Sequence, residues 1–502
     1  MSLSLRTKTV ESPLVSLVPS SLFACHPLHV EPVVSIVGRA DLLYSTMFLL
    51  SALLYLSWTP ATIALKLLSL STITCISMFC KEQGILFLIF WLMMELITIV
   101  FLKKKVVTRQ FLVFCLYILS NLILLSYIRM WIMNFQKPQF SSGDNPAAFQ
   151  PSIVNRVLTF NYIYCLNFLL LLMPTWLCFD WAMGCVSILT PYDGRIFLLI
   201  SFYILCVSLA VKIFRNFRKH YIEIVAILLI IVPFLLSANL FVYVGFVIAE
   251  RNLYLSVAGF SLLVCRGLAK LQKKLPRMSN ILLAILFSCF LSKSFVRSSD
   301  WSCEISLFRS GLQVCYDNAK VHYNVAKKLA DQNRIDEAVT FYKESIRIEP
   351  EYEHALNNLA NLLKSRNKYQ EAEQLLLKAI AVNPKFSAAH MNLGIVEQAR
   401  GKFEQAEKAY LQALDLRRFY PDAEYNLGNL YLKTRRLEAA EKRFRAASND
   451  KHELAYANLI ILLDERGRYE EAQDVIKEAM KIFPKNPDFL FQQANSLGKQ
   501  VN

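Results

Sequence analysis

The residue types able to move a proton or hold a phosphate stand at the edges of long apolar runs. His26, His29, Glu31, Arg39, Asp41, Lys81, Glu82, Asp144, Asn145, Asp180, Asp193, Glu250 and Arg251 all lie where such a run begins or ends. Ionisable groups are costly to bury there, so a set of them gathered on one face marks a charged cavity; any one alone reads as a solvated loop charge. Glu31 and Asp41 are carboxylates suited to take a proton from a hydroxyl, and are the candidate catalytic residues. Arg39, Lys81 and Arg251 suit the oxygens of a donor phosphate. Their plainer reading is ion pairing with Glu31, Asp41, Glu82 or Glu250. His26, His29, Glu82, Asp144 and Glu250 are assigned to the lining of the cavity. His26-Pro27-Leu28-His29-Val30-Glu31 has metal-ligand residue types. Pro27 disturbs the helix that would put His26 and His29 on one face, and no third ligand is evident, so no metal is assigned.

Such residues must be positioned by membrane-spanning elements. The chain has 502 residues, 55% of them hydrophobic and 12% aromatic, but these averages hide a change near residue 300. Up to Val296 apolar runs follow one another; from Arg297 onward Ala, Glu, Lys, Asn and Tyr dominate. A crossing needs about 20 apolar residues or a few fewer. Runs of that kind lie near Leu42–Trp58, Ala61–Phe79, Gly84–Leu102, Phe111–Met133, Arg195–Val211, Tyr221–Leu236, Leu253–Gly267 and Ile281–Val296. The predicted fold class is therefore all-α: a lumenal loop region and partial span over 1–41, a polytopic transmembrane helical domain over 42–296, and a helical solenoid beyond it.

The net charge of +16 could point to nucleic acid. Its main clusters, Lys103–Lys105, Lys212–Lys219 and Arg266–Arg277, sit directly beside apolar runs. Cytoplasmic loops of membrane proteins carry Lys and Arg in that way, so nucleic acid is not a predicted partner. With those loops in the cytoplasm, His26–Asp41, Lys81-Glu82 and everything after Val296 fall on the lumenal side. The basic loops around Lys103 and Lys212 require an even number of crossings between them. The weak apolar segment Tyr162–Phe179, interrupted by Pro174, is then re-entrant or interfacial. Most of the 12 cysteines lie inside apolar runs as small hydrophobes. Cys303 and Cys315 can pair only if the segment between them is not one straight helix. Met1–Glu11 form no signal-peptide pattern, and no Asn-x-Ser/Thr tripeptide occurs in the chain.

Beyond residue 318 the sequence repeats with a period of 34. Pro350 and Pro384 are one period apart, as are Leu393-Gly394 and Leu427-Gly428. Small residues recur at Ala338, Ala372, Ala406, Ala440 and Ala472, and large ones four residues on, at Tyr342, Leu376, Tyr410, Phe444 and Ile476. This is the signature of stacked tetratricopeptide (TPR) helix pairs. About five repeats over 319–486 are predicted, entered by a degenerate helix over 297–318 and closed by a capping helix over 487–502. Such a stack presents a groove to a partner rather than a reaction centre. Asn358, Asn361, Asn392, Asn426 and Asn429 recur near the starts of first helices and could clamp a peptide backbone, since each amide both donates and accepts. The alternative is that they are solvated or cap-like.

Several motifs, in order along the chain, resemble those of the transmembrane and TPR repeat-containing (TMTC) proteins. They are Leu22–Leu43 with its His26-Pro27-Leu28-His29 and Gly38-Arg39-Ala40-Asp41, Lys81-Glu82-Gln83-Gly84, Asp144-Asn145-Pro146-Ala147, Asp180-Trp181, Ala249-Glu250-Arg251-Asn252-Leu253-Tyr254, and Asn318–Asn324 leading into the repeats. The resemblance implies a GT-C type glycosyltransferase, multi-pass in the endoplasmic reticulum membrane with its TPRs in the lumen. It implies mannose transfer from dolichyl phosphate mannose to Ser and Thr hydroxyls of lumenal proteins such as cadherin-type domains. Its partners would be that lipid-linked donor, the acceptor proteins and membrane lipid, with no tightly bound cofactor. Family members begin with a further span and a lumenal loop bearing a paired acidic motif that supplies the base. The expectation is that this chain is N-terminally truncated and that the main acidic pair lies upstream of Met1. Where the family often carries Pro, the chain has Ser256. The alternative function is a non-catalytic TPR scaffold of the endoplasmic reticulum membrane. A transporter is disfavoured because internal inverted repeats are not seen.

Overall fold

The computed structural model describes residues 13–57, 63–101, 109–136 and 138–501. The regular elements among them are helical. Contacts divide the chain into two units, Met1–Val321 and His322–Asn502.

In the first unit, α1 (Pro13–Cys25) is followed by a short α2 (Val30–Val34) and then by long apolar helices. These are α3 (Arg39–Ser57), α4 (Ile63–Cys80), α5 (Leu86–Phe101), α6 (Arg109–Ile132), α7 (Ile153–Leu172), α8 (Ile196–Arg215), α9 (Tyr221–Ile231), α10 (Ser256–Gln272) and α11 (Pro276–Asp300). A shorter α12 (Glu304–Val314) closes the unit. Where proline removes an N–H the helix ends or tightens: α9 passes into 3-10 geometry over Val232–Ser237, with Pro233 in its first turn.

The side-chain pairs show how the helices alternate. At one end of the bundle Lys81 meets Asp41, Arg129 meets Glu82, and Gln83 donates to Ser237 Oγ at 2.5 Å. At the other end the Phe101 and Tyr221 rings lie 5.0 Å apart, and Glu223 takes Lys270 at 2.6 Å. The helices thus run up and down between a carboxylate-bearing end and a basic end. Between α3, α5 and α9 the core is aromatic: Tyr44, Phe48, Phe87, Phe90 and Trp91 pack with Leu229 and Val232. Trp91 Nε1 donates to Ser51 Oγ at 3.1 Å, which satisfies the buried N–H.

Several boundaries differ from the sequence reading. The segment expected at Tyr162–Phe179 is a regular helix that starts at Ile153, capped by Ser152 Oγ accepting from the Asn155 N–H, and ends at Leu172, before Pro174. The Leu253–Gly267 run starts only at Ser256, because Glu250–Leu253 forms a 3-10 turn. The last run extends from Pro276 to Asp300 rather than from Ile281 to Val296. Residues 297–318 fold with the first unit, Gly311 lying against the Phe179 ring. The segment between Cys303 and Cys315 is the helix α12, so these cysteines do not pair; Cys315 is bridged to Cys185. Met1–Glu11, Trp58, Ala61 and the Lys103–Lys105 cluster lie outside the described residues.

The second unit is a stack of antiparallel helix pairs. They are α13 (Ala319–Asp331) with α14 (Ile335–Ile348), α15 (Glu353–Ser365) with α16 (Tyr369–Val382), α17 (Ser387–Ala399) with α18 (Phe403–Leu416), α19 (Pro421–Lys433) with α20 (Leu437–Asn449), and α21 (Glu453–Glu465) with α22 (Tyr469–Ile482). A last helix, α23 (Pro487–Val501), closes the stack, its Phe489 wholly buried. In the third and fourth pairs a glycine on the first helix faces an aromatic ring on the second. A Cβ on Gly394 would stand 2.6 Å from the Tyr410 ring, and one on Gly428 2.6 Å from Phe444, so glycine is required there. The turns between helices use a left-handed residue at Asn333, Asn367, Gly401, Arg435 and Gly467, one in each repeat.

Candidate active site at the carboxylate end of the helical bundle

The acidic and basic residues at span edges converge because three segments meet there: α2 with the start of α3, the turn after α4, and the 3-10 turn Glu250–Leu253. Glu31 is buried and accepts Arg251 Nη1 at 2.8 Å and the Arg251 main-chain N–H at 3.2 Å. Asp41, also buried, is paired with Lys81. Lys81 Nζ further donates to Asn252 Oδ1 at 2.8 Å, which joins the two pairs through adjacent residues of one turn. Gln83 reaches the same Asn252 oxygen at 3.4 Å.

Below this layer Glu250 is wholly buried. Its Oε1 accepts from the Cys178 N–H at 2.6 Å and Trp181 Nε1 at 3.3 Å, and its Oε2 faces Arg297 Nη2 at 3.6 Å. Arg297, 1% exposed, also contacts Asp300 at 3.6 Å and Ser310 Oγ at 3.4 Å. Burial pushes the Glu250 carboxyl up, with Arg297 pulling it back. Burial likewise raises the Glu31 carboxyl against the pull of Arg251, and lowers the Lys81 ammonium against the pull of Asp41.

The sequence-derived residues are therefore sorted as follows. Glu31, Asp41, Lys81, Arg251 and Glu250 come together. Arg39 stands exposed on the first turn of α3 and makes no ion pair among the described residues. Glu82 points away to Arg129 at the end of α6. Asp144 caps its own turn, accepting from the Ser141 N–H at 3.0 Å and Oγ at 2.7 Å. His26 and His29 do not line a cavity; they are packed into the bundle. His26 Nδ1 accepts from the Leu28 N–H and Nε2 faces Leu171 O at 3.1 Å. The His29 ring packs between Phe23 and Tyr254. Burial lowers His26 to about 4 and His29 to about 3, so both are neutral at physiological pH. With both His26 nitrogens engaged, it is not poised as a metal ligand. Asn252, Gln83 and Trp181 were named only within motifs and not as site residues, and Arg297 was missed. Arg297 had a readable signal, as the first charge after the last apolar run.

In the solenoid, Asn358 Nδ2 donates to the Tyr323 and Tyr342 hydroxyls at 3.2 and 3.4 Å, and Asn392 to Asn357 Oδ1 at 2.9 Å. Asn426 bonds Asp422 O at 2.8 Å, Asn429 accepts from Asn458 at 2.8 Å, and Asn361 accepts from Lys364 at 3.2 Å. Asn324 stands in the same repeat position as Asn358, Asn392 and Asn426, one period earlier, and was not singled out from the sequence.

Residues 134–207, which carry Asp144, α7 and Trp181, match the family described as Protein O-mannosyl-transferase TMTC, DUF1736. The chain is 40% identical over 365 residues to Protein O-mannosyl-transferase TMTC4 of Mus musculus, covering 66% of this chain and 49% of that protein. The chain belongs to the TMTC family. It is also 38% identical over 260 residues to TMTC1 of Mus musculus (50% of this chain, 27% of that one), and 33% over 366 residues to TMTC3 of Homo sapiens (67% and 39%). Against TMTC4, it spans about half the relative's length. Residues 329–394, 386–451 and 425–487 each match tetratricopeptide repeat families. Among solved structures the chain is similar to the TPR protein YrrB, with 20% identity and a TM-score of 0.30 over 37% of this chain and 97% of that one. With its apolar helices, this TMTC-family chain is a multi-pass membrane protein.

Proposed function

We propose that this chain serves protein O-mannosylation, moving mannose from dolichyl phosphate mannose to Ser or Thr hydroxyls of lumenal proteins, cadherin-type domains among them. The observation that carries the reading is the paired arrangement of Glu31–Arg251 and Asp41–Lys81 on one turn-linked face. Each cation is held by a carboxylate through only part of its donors. Arg251 uses Nη1 and its main-chain N–H on Glu31, leaving its other guanidinium N–H groups for an anion. The acceptor oxygen attacks the anomeric carbon while the bond from that carbon to the phosphate oxygen breaks. A carboxylate, Glu31 or Asp41, takes the hydroxyl proton. The leaving dolichyl phosphate keeps its electron pair, and Arg251 and Lys81 match its charge. The solenoid receives the acceptor in an extended form, with its asparagines on the peptide backbone. The endoplasmic reticulum membrane is the site, with the carboxylate end and the TPRs facing the lumen. The bridge between Cys185 and Cys315 supports that sidedness, since disulfides persist in oxidising compartments.

The test is transfer of radiolabelled mannose from dolichyl phosphate mannose to a cadherin-type acceptor in membranes carrying the chain, with Glu31→Gln, Asp41→Asn and Arg251→Ala beside it. Transfer that falls in all three variants is expected. Transfer unchanged in all three would remove this face from the chemistry. A chain that transfers nothing yet retains its acceptor through the TPRs would be the scaffold instead.

A further inference from the structure

Among the described residues six helices are long and apolar enough to cross a membrane, and α7 is one of them. Its surroundings set it apart. At about 1.5 Å per residue a helix of 20 residues is about 30 Å long, so the flanks of a crossing helix should lie on opposite faces. The flanks of α7 meet. The Met183 N–H donates to Gly143 O at 3.2 Å, so the chain returning from the helix touches the chain leading into it. Asn145, on the leading flank, bonds Asn239 Oδ1 at 3.0 Å and Val244 O at 2.8 Å, in the segment that leads into the Glu250 turn. Cys178, on the trailing flank, bonds Glu250 itself.

The return path is irregular. Residues 173–195 contain no regular helix or strand, yet they run back along α7 far enough for the Leu189 N–H to reach Thr159 Oγ1 at 2.9 Å. If α7 crossed the bilayer, this irregular segment would have to cross back, and lipid does not tolerate unpaired backbone of that kind. Helix α8 meets α7 through Arg195, Leu199, Phe202 and Tyr203. The remainder of α8, from Ile204 to Lys212, is exposed.

The start of α7 carries an apolar surface with no protein on it. Ile153 is 72% exposed, with Val154 and Val157 exposed beside it, and Phe241, also 72% exposed, stands in the turn Leu240–Tyr243. The two are joined: Arg156 Nη1 donates to the Tyr243 hydroxyl at 3.0 Å, and the Phe160 and Tyr243 rings stack at 6.2 Å. Arg156 turns its charge inward onto Gln150 O at 2.6 Å. We propose that α7 lies in the plane of the membrane at the carboxylate end, with Ile153, Val154, Val157 and Leu240–Tyr243 sunk into the acyl chains of that leaflet. The occupant is lipid because the chain neighbours α6 and α8 are themselves apolar spans, which bring the leaflet to this height. Further along α7, Ile163, Leu170 and Leu171 are buried in the core that holds Leu28, Trp181 and Phe290. The leaflet therefore seats the loop whose Cys178 and Trp181 hold Glu250.

Two measurements test this without relying on the mannosyl-transfer reading. An epitope is inserted after Ser142 in one version of the full chain and after Tyr192, 98% exposed, in another. Antibody access is then compared in sealed and detergent-opened microsomes. Equal access at both positions is expected, and opposite access would mean that α7 crosses. If both are reached in sealed microsomes the in-plane helix stands, while the lumenal assignment made above fails. The second measurement places a photoreactive benzophenone residue at Val154 or Phe241. Several-fold more crosslinking to labelled phospholipid than from Tyr192 is expected. Crosslinks to protein alone, or a yield no greater than at Tyr192, would overturn the assignment to lipid.

Discussion

Glu31 is the residue at which chemistry and electrostatics meet most directly. Burial holds its carboxyl above the ordinary glutamate value, and Arg251 limits the rise. A base must be ionised to act, so transfer should climb with pH through a limb above the usual glutamate pKa of about 4.3. Replacing Arg251 with Ala should move that limb to higher pH. Glu31→Gln should abolish the limb and cut the rate by about 10²–10⁴-fold. A pH–rate profile of mannose transfer checks both; an unmoved limb in Arg251→Ala would show that another group titrates. Glu250 and Arg297 are a different case, because both are fully buried. Removing one partner leaves an uncompensated charge, so Arg297→Met should destabilise the first unit by about 3–5 kcal/mol. Glu250→Gln with Arg297→Met should recover part of that loss. Thermal unfolding of the detergent-solubilised protein reads the difference, and a double variant no better than the single one would deny the coupling.

At the scale of elements, the solenoid rests on close approach within each helix pair. Gly394 admits the Tyr410 ring, so Gly394→Ala must displace a large buried side chain. The expected cost is about 1–3 kcal/mol, read as a lower melting temperature of the chain. One period earlier the equivalent positions hold Ala360 and Leu376, both fully buried. The left-handed turn residues follow the same logic. Asn and Gly take this backbone easily, while Arg435 at φ 58° does so against its own preference. The repeat geometry overrides local preference there.

For the whole molecule, the bridge from Cys185 to Cys315 links residues 130 apart and ties the loop after α7 to the segment after α12. Ten of the twelve cysteines are free. Maleimide–polyethylene glycol added to the denatured protein should therefore attach ten times before reduction and twelve times after. Twelve additions in both cases would mean that the thiols remain apart and would withdraw the disulfide argument for sidedness.

The legible part of this protein was set by periodicity and by runs. A period of 34 residues can hardly be satisfied except by stacked helix pairs, and an apolar run of span length has few places to go, so the solenoid and the bundle follow from order along the chain. The residues at the ends of those runs were readable as a group because charge is expensive beside lipid. Their sorting was not readable. Glu31 meets Arg251 across 220 positions and Lys81 meets Asn252 across 171, while Glu82, beside Lys81 in the chain, turns away to Arg129. His26 and His29 looked like site residues because of their type, and packing made them part of the core. Linear order sets which elements form; only the packed bundle, by choosing which helix ends meet, decides which charges become partners.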